Sequence, residues 1–122
     1  MDVTWRKDDR IRRSRDFRWI QKRGSKLKSR DFLFIFLPFH RVPNASNNSR
    51  FGLVVSKRVG NAVSRNLVKR RLRESCRRNK HLMIASLNIV IIAFSSALHR
   101  TQQEIDIQMI DSFNELNRFS RK

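Results

Sequence analysis

The side chains of this chain that can do chemistry are overwhelmingly cations, and their densest run has helical spacing. Arg65, Lys69 and Arg73 recur at i, i+4 and i+8, and Asn66, Arg70 and Arg77 make the adjoining row at about 100° per residue. Both rows flank a narrow stripe of Val68, Leu72, Ser75 and Cys76, the only face of such a helix fit to meet a core. Arg71 and Arg78 point elsewhere. A run of charge is most often a solvated helix face. Such faces usually mix signs, because like charges at i, i+4 destabilise a helix by a few tenths of a kcal/mol per pair. Here Arg65/Lys69 and Lys69/Arg73 are like pairs, and Glu74 is the one acid within reach. The segregation of charge, more than its amount, points to a phosphate backbone as the partner.

A cutting chemistry is not visible beside this binding chemistry. His40, His81 and His99 are far apart and share no metal-ligand spacing. A single cysteine, Cys76, leaves no zinc site of the usual kind. Of ten acidic residues, only Asp8 and Asp9 are adjacent, whereas a two-metal phosphodiesterase needs several carboxylates converging on two ions. No catalytic and no metal-binding residue is expected. The chain is expected to bind and not to cut alone.

The elements that must hold the cations follow from local signals. Residues 1–13 read as a basic, mobile arm whose large apolar residue, Trp5, either packs on the domain or stacks on a base. Ser14 can cap a helix running to Arg23, with Gly24 as its stop and Phe17 and Ile20 on one side as core. The apolar run from Phe32 to Leu37 has strand length, with one face on the core and the other either open or under a helix; Pro38 ends it. A loop rich in Asn and Pro follows, from His40 to Ser49, and then a strand from Phe51 to Ser56. A Gly60-Asn61 turn, with Asn61 as N-cap, opens the basic helix, which frays near Asn79-Lys80. Leu87 to Phe94 is apolar on both faces, as in a central strand. Thr101-x-x-Glu104 is a capping box for a last helix with Ile105, Met109, Ile110, Phe113 and Leu116 on one face.

The order helix, two or three strands, basic helix, strand, helix describes a small α/β sandwich of the α+β class, one domain over residues 14–119 with a short tail at 120–122. At 122 residues there is room for one core. A net charge of +18 implies a polyanionic partner. Nucleic acid is expected over membrane, since no window approaches the 18 or so apolar residues of a spanning helix and the start lacks a signal-peptide core. The lone cysteine fits a reducing cytoplasm.

Three segments together carry a resemblance: Phe51-Gly52-Leu53-Val54-Val55-Ser56-Lys57-Arg58, then Gly60-Asn61-Ala62-Val63, then Arg65-Asn66-x-x-Lys69-Arg70-x-x-Arg73-Glu74. They resemble the protein component of bacterial ribonuclease P, and the likeness runs from about Ile11 to the last helix. Leu67 departs from it, standing where the family usually has a second arginine. The resemblance implies a left-handed crossover around the basic helix, in place of the right-handed one expected by default for a strand-helix-strand unit. It also implies a subunit of an endonuclease that removes the 5′ leader of precursor tRNA, with Mg²⁺ and the chemistry belonging to a catalytic RNA subunit. RNA contact is then expected at Lys57, Arg58, Asn61, Arg65, Asn66, Lys69, Arg70, Arg73 and Arg77. A leader cleft is expected at Phe17 and Ile35, with Gln21 standing where many members carry a second aromatic. The alternatives are a structural RNA-binding protein of the ribosomal type, which leaves the motif spacing unexplained, and a helix-turn-helix DNA binder. The latter is disfavoured because no helix precedes the basic one by three or four residues.

Overall fold

The computed structural model describes residues 4–119. Four strands and three helices follow one another as α1 (Ser14–Arg23), β1 (Ser25–Lys28), β2 (Phe32–Pro38), β3 (Arg50–Val54), α2 (Ala62–Asn79), β4 (Leu87–Ala93) and α3 (Gln102–Phe119). The strands form one mixed sheet in the order β1-β2-β4-β3, with β4 antiparallel to β2 and parallel to β3. The strand that reads as apolar on both faces is therefore central, and α2 is the connection between the parallel pair.

Strand alternation divides the sheet into two unlike faces. One carries Phe32, Phe34, Phe36, Phe51, Ile89 and Ile91 and is packed by Val68, Leu72 and Cys76 of α2 and Ile105, Met109, Phe113 and Leu116 of α3. Full burial of side chains this size contributes about 1.5–3 kcal/mol each. Here lies the main core, and its α2 stripe is the one the helical spacing predicts.

The opposite face is built from three rows that run across the strands. Leu37, Asn88 and Arg50 make the first, and Lys26, Ile35, Val90 and Gly52 the second. The third is Lys28, Leu33, Ile92 and Val54. Helix α1 lies over the second row, with Ile20 fully buried against a smaller cluster that includes Ile35 and Val90. Gly24 lets the chain leave α1 so close to the sheet, since a Cβ there would meet Ile20 O and Ile35 Cγ2, each at 2.7 Å.

Several local expectations need correction. Helix α1 is capped by Arg13, without a side-chain cap bond, so Ser14 is its first helical residue and not its cap. β1 is the third of the two or three strands expected before α2, at residues that no sequence signal singles out, and β3 ends at Val54, before Val55 and Ser56. From Thr4 onward the arm lies against the domain. Ile11 is buried and donates its N–H to Phe51 O at 2.9 Å on the outer edge of β3, and Trp5 leans on Phe51 with ring centroids 5.9 Å apart. Lys80 ties the arm down through Asp9 Oδ2 at 2.8 Å and through the carbonyl of Thr4. Residues 1–3 of the arm and the 120–122 tail fall outside the described residues.

The junctions that fix the helices are polar and specific. Asn61 Oδ1 accepts from Ser64 N at 2.9 Å, which caps α2. Thr101 Oγ1 accepts from Glu104 N at 3.2 Å while Glu104 Oε1 accepts from Thr101 N at 3.0 Å, completing the expected box on α3. Asp31 is fully buried between β1 and β2, where its Oδ2 accepts from Arg100 Nε at 2.7 Å and Gln108 Nε2 at 2.6 Å. Burial pushes its carboxyl upward, but hydrogen bonds led by Arg100 outweigh that and hold it below the usual carboxylate value.

Candidate nucleic-acid interface

The cations of α2 divide into two populations. Those turned toward α3 are engaged: Arg71 Nη1 donates to Arg100 O at 2.8 Å, and Arg78 Nη2 donates to Asp106 Oδ2 at 2.6 Å. Arg65, Lys69, Arg70 and Arg73, on the rows read from the sequence, have no hydrogen-bond or ion-pair partner among the described residues. Lys69, Arg70 and Arg73 are exposed with Asn66, and Arg65 is half-buried. Repulsion along Arg65-Lys69-Arg73 is thus left standing by the protein itself.

Two expected contacts are less available than their neighbours. Arg77 is held by Glu74, its Nε donating to Oε2 at 3.0 Å with a second bond to Oε1, so its charge is largely answered. That contact raises the Arg77 guanidinium and lowers the Glu74 carboxyl from their ordinary values. The side-chain oxygen of Asn61 is occupied by its capping bond. Lys57 and Arg58 are exposed on the turn just beyond β3.

Leu67, where the resemblance leads one to expect arginine, lies with Val63 on the outer surface of α2. Together with Asn66, Lys69, Arg70 and Arg73 they line a shallow depression of about 510 Å³, and Val63 is 79% exposed. The surface of α2 is therefore apolar at this point and cationic around it.

On the opposite face of the sheet α1 leaves an open strip. Leu33, Ile92 and Val54 are each only partly buried, and Lys28 continues their row to the β1 edge. Phe17 and Gln21 stand on the flank of α1, both half-buried. Phe17 is seated over Gly52, where a Cβ would lie 2.5 Å from its Cε1. Ile35 does not belong to this strip. It is 4% exposed, covered by α1 near Gly24, so the open floor falls to Leu33, Ile92 and Val54 instead.

Sequence reading missed a second basic concentration. Lys7, Arg10, Arg12, Arg13, Arg15 and Arg50 gather with Asp8 and Asp16 around a hollow of about 260 Å³ at the start of α1. Arg50 is mostly buried there, its Nε donating to Asn88 Oδ1 at 2.6 Å and its Nη1 3.8 Å from Asp16 Oδ2. Burial lowers the Arg50 guanidinium from its ordinary value, with Arg12 and Arg13 adding to this against Asp16. The density of arginine before residue 16 was a signal for it, but its place in the fold depends on how the arm docks.

Among the described residues no three His, Cys, Asp or Glu side chains gather where they could hold an ion. Several carboxylates are held in ion pairs: Asp31 with Arg100, Asp9 with Lys80, Asp106 with Arg78. No described helix is long and apolar enough to cross a membrane. Cys76 is fully buried, and burial pushes its thiol far above the ordinary value.

The fold and its two cationic surfaces define a small basic α+β protein made to bind a polyanion. The family model described as Ribonuclease P matches residues 5–117, and the chain belongs to that family. The ribonuclease P protein component of Streptococcus pneumoniae (strain Hungary19A-6) is 36% identical over 88 residues, covering 72% of this chain and 68% of that one. Among solved structures, the RNase P protein of Staphylococcus aureus matches with a TM-score of 0.74 at 30% identity, covering 88% of this chain and 94% of that one. That of Thermotoga maritima matches with a TM-score of 0.75 at 29% identity, covering 87% and 96%. The chain is thus a protein component of a ribonucleoprotein endoribonuclease, and the ribosomal-type reading is set aside.

Proposed function

We propose that this chain binds the catalytic RNA of ribonuclease P through the outer rows of α2 and receives the 5′ leader of precursor tRNA in the open strip beside α1. The observation that carries the reading is the split of the α2 cations: Arg71 and Arg78 are consumed by the fold, and Arg65, Lys69, Arg70 and Arg73 are left unanswered. Neutralising phosphates at those four, with Lys57 and Arg58 continuing the surface, relieves the i, i+4 repulsion that the protein alone retains.

The leader strip works by shape and stacking. Leu33, Ile92 and Val54 offer an apolar floor, Phe17 a ring face and Gln21 a hydrogen-bonding group. An extended single strand lies on such a floor with little sequence preference, because every base has a π-face. Mature tRNA has no leader and cannot use the strip, so the precursor is bound in preference to the product.

Hydrolysis belongs to the catalytic RNA, which supplies Mg²⁺ chemistry at the scissile phosphate. Among the described residues no group of three His, Cys, Asp or Glu offers that ion a site made by the protein alone. Its work is to neutralise and position, and its place is the cytoplasm. The test is cleavage of a precursor tRNA from purified components. Release of the leader should need the catalytic RNA, and this protein should lower the Mg²⁺ and salt demands of the reaction. Cleavage by the protein alone, or no effect of the protein on the RNA, would reject the reading.

A further inference from the structure

Between the arm and α2, on the outer edge of β3, lies a groove of about 310 Å³ where the surfaces described above meet. Trp5, Phe51 and Leu53 give it an apolar floor, and Arg10, Arg12, Lys69 and Arg73 bring four cations to it with no carboxylate among its lining residues. Trp5 and Phe51 are in ring contact, and Phe51 in turn meets Phe113 of the core with centroids 5.5 Å apart, so the floor is backed by rigid packing. The indole Nε1 of Trp5 is buried and has no hydrogen-bond partner among the described residues. Lys69 and Arg73 belong to the unanswered row of α2, and Phe17 of the leader strip reaches the groove from the other face.

An aromatic floor alone suits any apolar ligand, and four cations alone suit any anion. The two together, with no acid among them, suit a flat ring joined to a phosphate. We infer that this groove is a subsite for one unpaired nucleotide, its base against Trp5 and Leu53 and its phosphate between Lys69 and Arg73. The inference rests on the RNA-binding reading given above, and it adds a base-dependent contact to a surface otherwise made of phosphate contacts. The nucleotide comes either from a single-stranded stretch of the catalytic RNA or from the leader, and the chemistry of recognition is the same for both.

Trp5 is its own reporter once the other indole is removed. In a full-length Trp19→Phe protein, with its melting temperature checked against the parent, a hexanucleotide of adenylate should quench the remaining emission saturably. An abasic phosphodiester of equal length and charge should not. Trp5→Ala should weaken hexanucleotide binding roughly tenfold and leave the abasic strand unaffected, and Trp5→Phe should restore most of the loss. If Trp5→Ala does not fold, the quenching decides alone. Equal quenching by both strands, or none by either, overturns the nucleotide subsite.

Two further arms locate the source. A change in Trp5 emission on adding the catalytic RNA alone assigns the nucleotide to that RNA. A change only when leader-bearing precursor joins the assembled complex assigns it to the leader. No change in either arm, in a protein that still assembles and supports cleavage, removes the subsite and leaves the functional reading intact. Failure to bind the catalytic RNA at all removes the functional reading itself.

Discussion

The ring of Phe17 fills the space above Gly52 that a side chain would otherwise occupy, a hypothetical Cβ falling 2.5 Å from Cε1 and 2.7 Å from Cζ. Gly52→Ala should therefore move Phe17 and not merely add a methyl group. Overpacking of this kind costs about 1–3 kcal/mol. Affinity for leader-bearing precursor should fall roughly tenfold, while affinity for mature tRNA stays within about twofold. Parallel binding titrations check this, and equal losses toward both RNAs would show that Phe17 is only packing.

Phe17→Ala tests the same strip from the other side. The residue is half-buried, so truncation should cost less stability than the about 3–5 kcal/mol of a fully buried phenylalanine. Precursor affinity should drop by ten- to a hundredfold, since stacking is worth about 1–3 kcal/mol per base. Gln21→Phe should raise it. Melting temperature and leader-dependent affinity must be measured on the same variants, because only their ratio separates stacking from folding.

The two populations of α2 cations predict two kinds of mutant. Alanine at Lys69 or Arg73 should leave the melting temperature almost unchanged and lower the log-log salt slope for catalytic-RNA binding by about one for each phosphate no longer neutralised. Alanine at Arg78, whose pair with Asp106 is partly exposed, should instead lower stability by about 1 kcal/mol or less and leave the salt slope alone. Reversal of this pattern would mean that the α3 side of the helix is the one facing RNA.

Asp31 gives a pH dependence of known sign. Its carboxyl titrates lower in the folded protein than in the unfolded chain, where aspartate titrates at about 3.9. Its contribution is therefore complete above that value and is lost as pH falls through the lower, folded one. Asp31→Asn should flatten the acid limb of a stability-pH curve, and Arg100→Gln should destabilise the fold and move that limb toward neutral pH, since it leaves the Asp31 carboxylate with Gln108 but without its cation. Chemical denaturation between neutral and acid pH reads both.

Much of this was legible because some signals are local. The α2 stripe is four residues of one helix, and the buried set is Val68, Leu72, Ser75 and Cys76 as spacing requires. The Asn61 cap and the Thr101-Glu104 box need only three residues of reach. What escaped depends on where distant elements cross. Phe32–Leu37 is apolar on both faces, so nothing in it tells Ile35, which α1 covers, from Leu33, which α1 leaves open. Ser25–Lys28 has one apolar residue, Leu27, and reads as a loop until β2 is there to pair with it. The family resemblance supplied the function, and composition alone would have stopped at a polyanion binder.

The sheet order has a bearing on how the molecule is made. β2 and β3 are not paired with each other; β4, the last strand among the described residues, is the seam between them. Until Leu87–Ala93 leaves the ribosome, β3 has no sheet to join, and α2 has no complete face to pack on. Nearly the whole set of cations is thus translated before the chain can close, so a long-range contact must form late and from a strongly basic, open polymer. In a cell full of RNA such a nascent chain meets polyanions before it meets its own last strand.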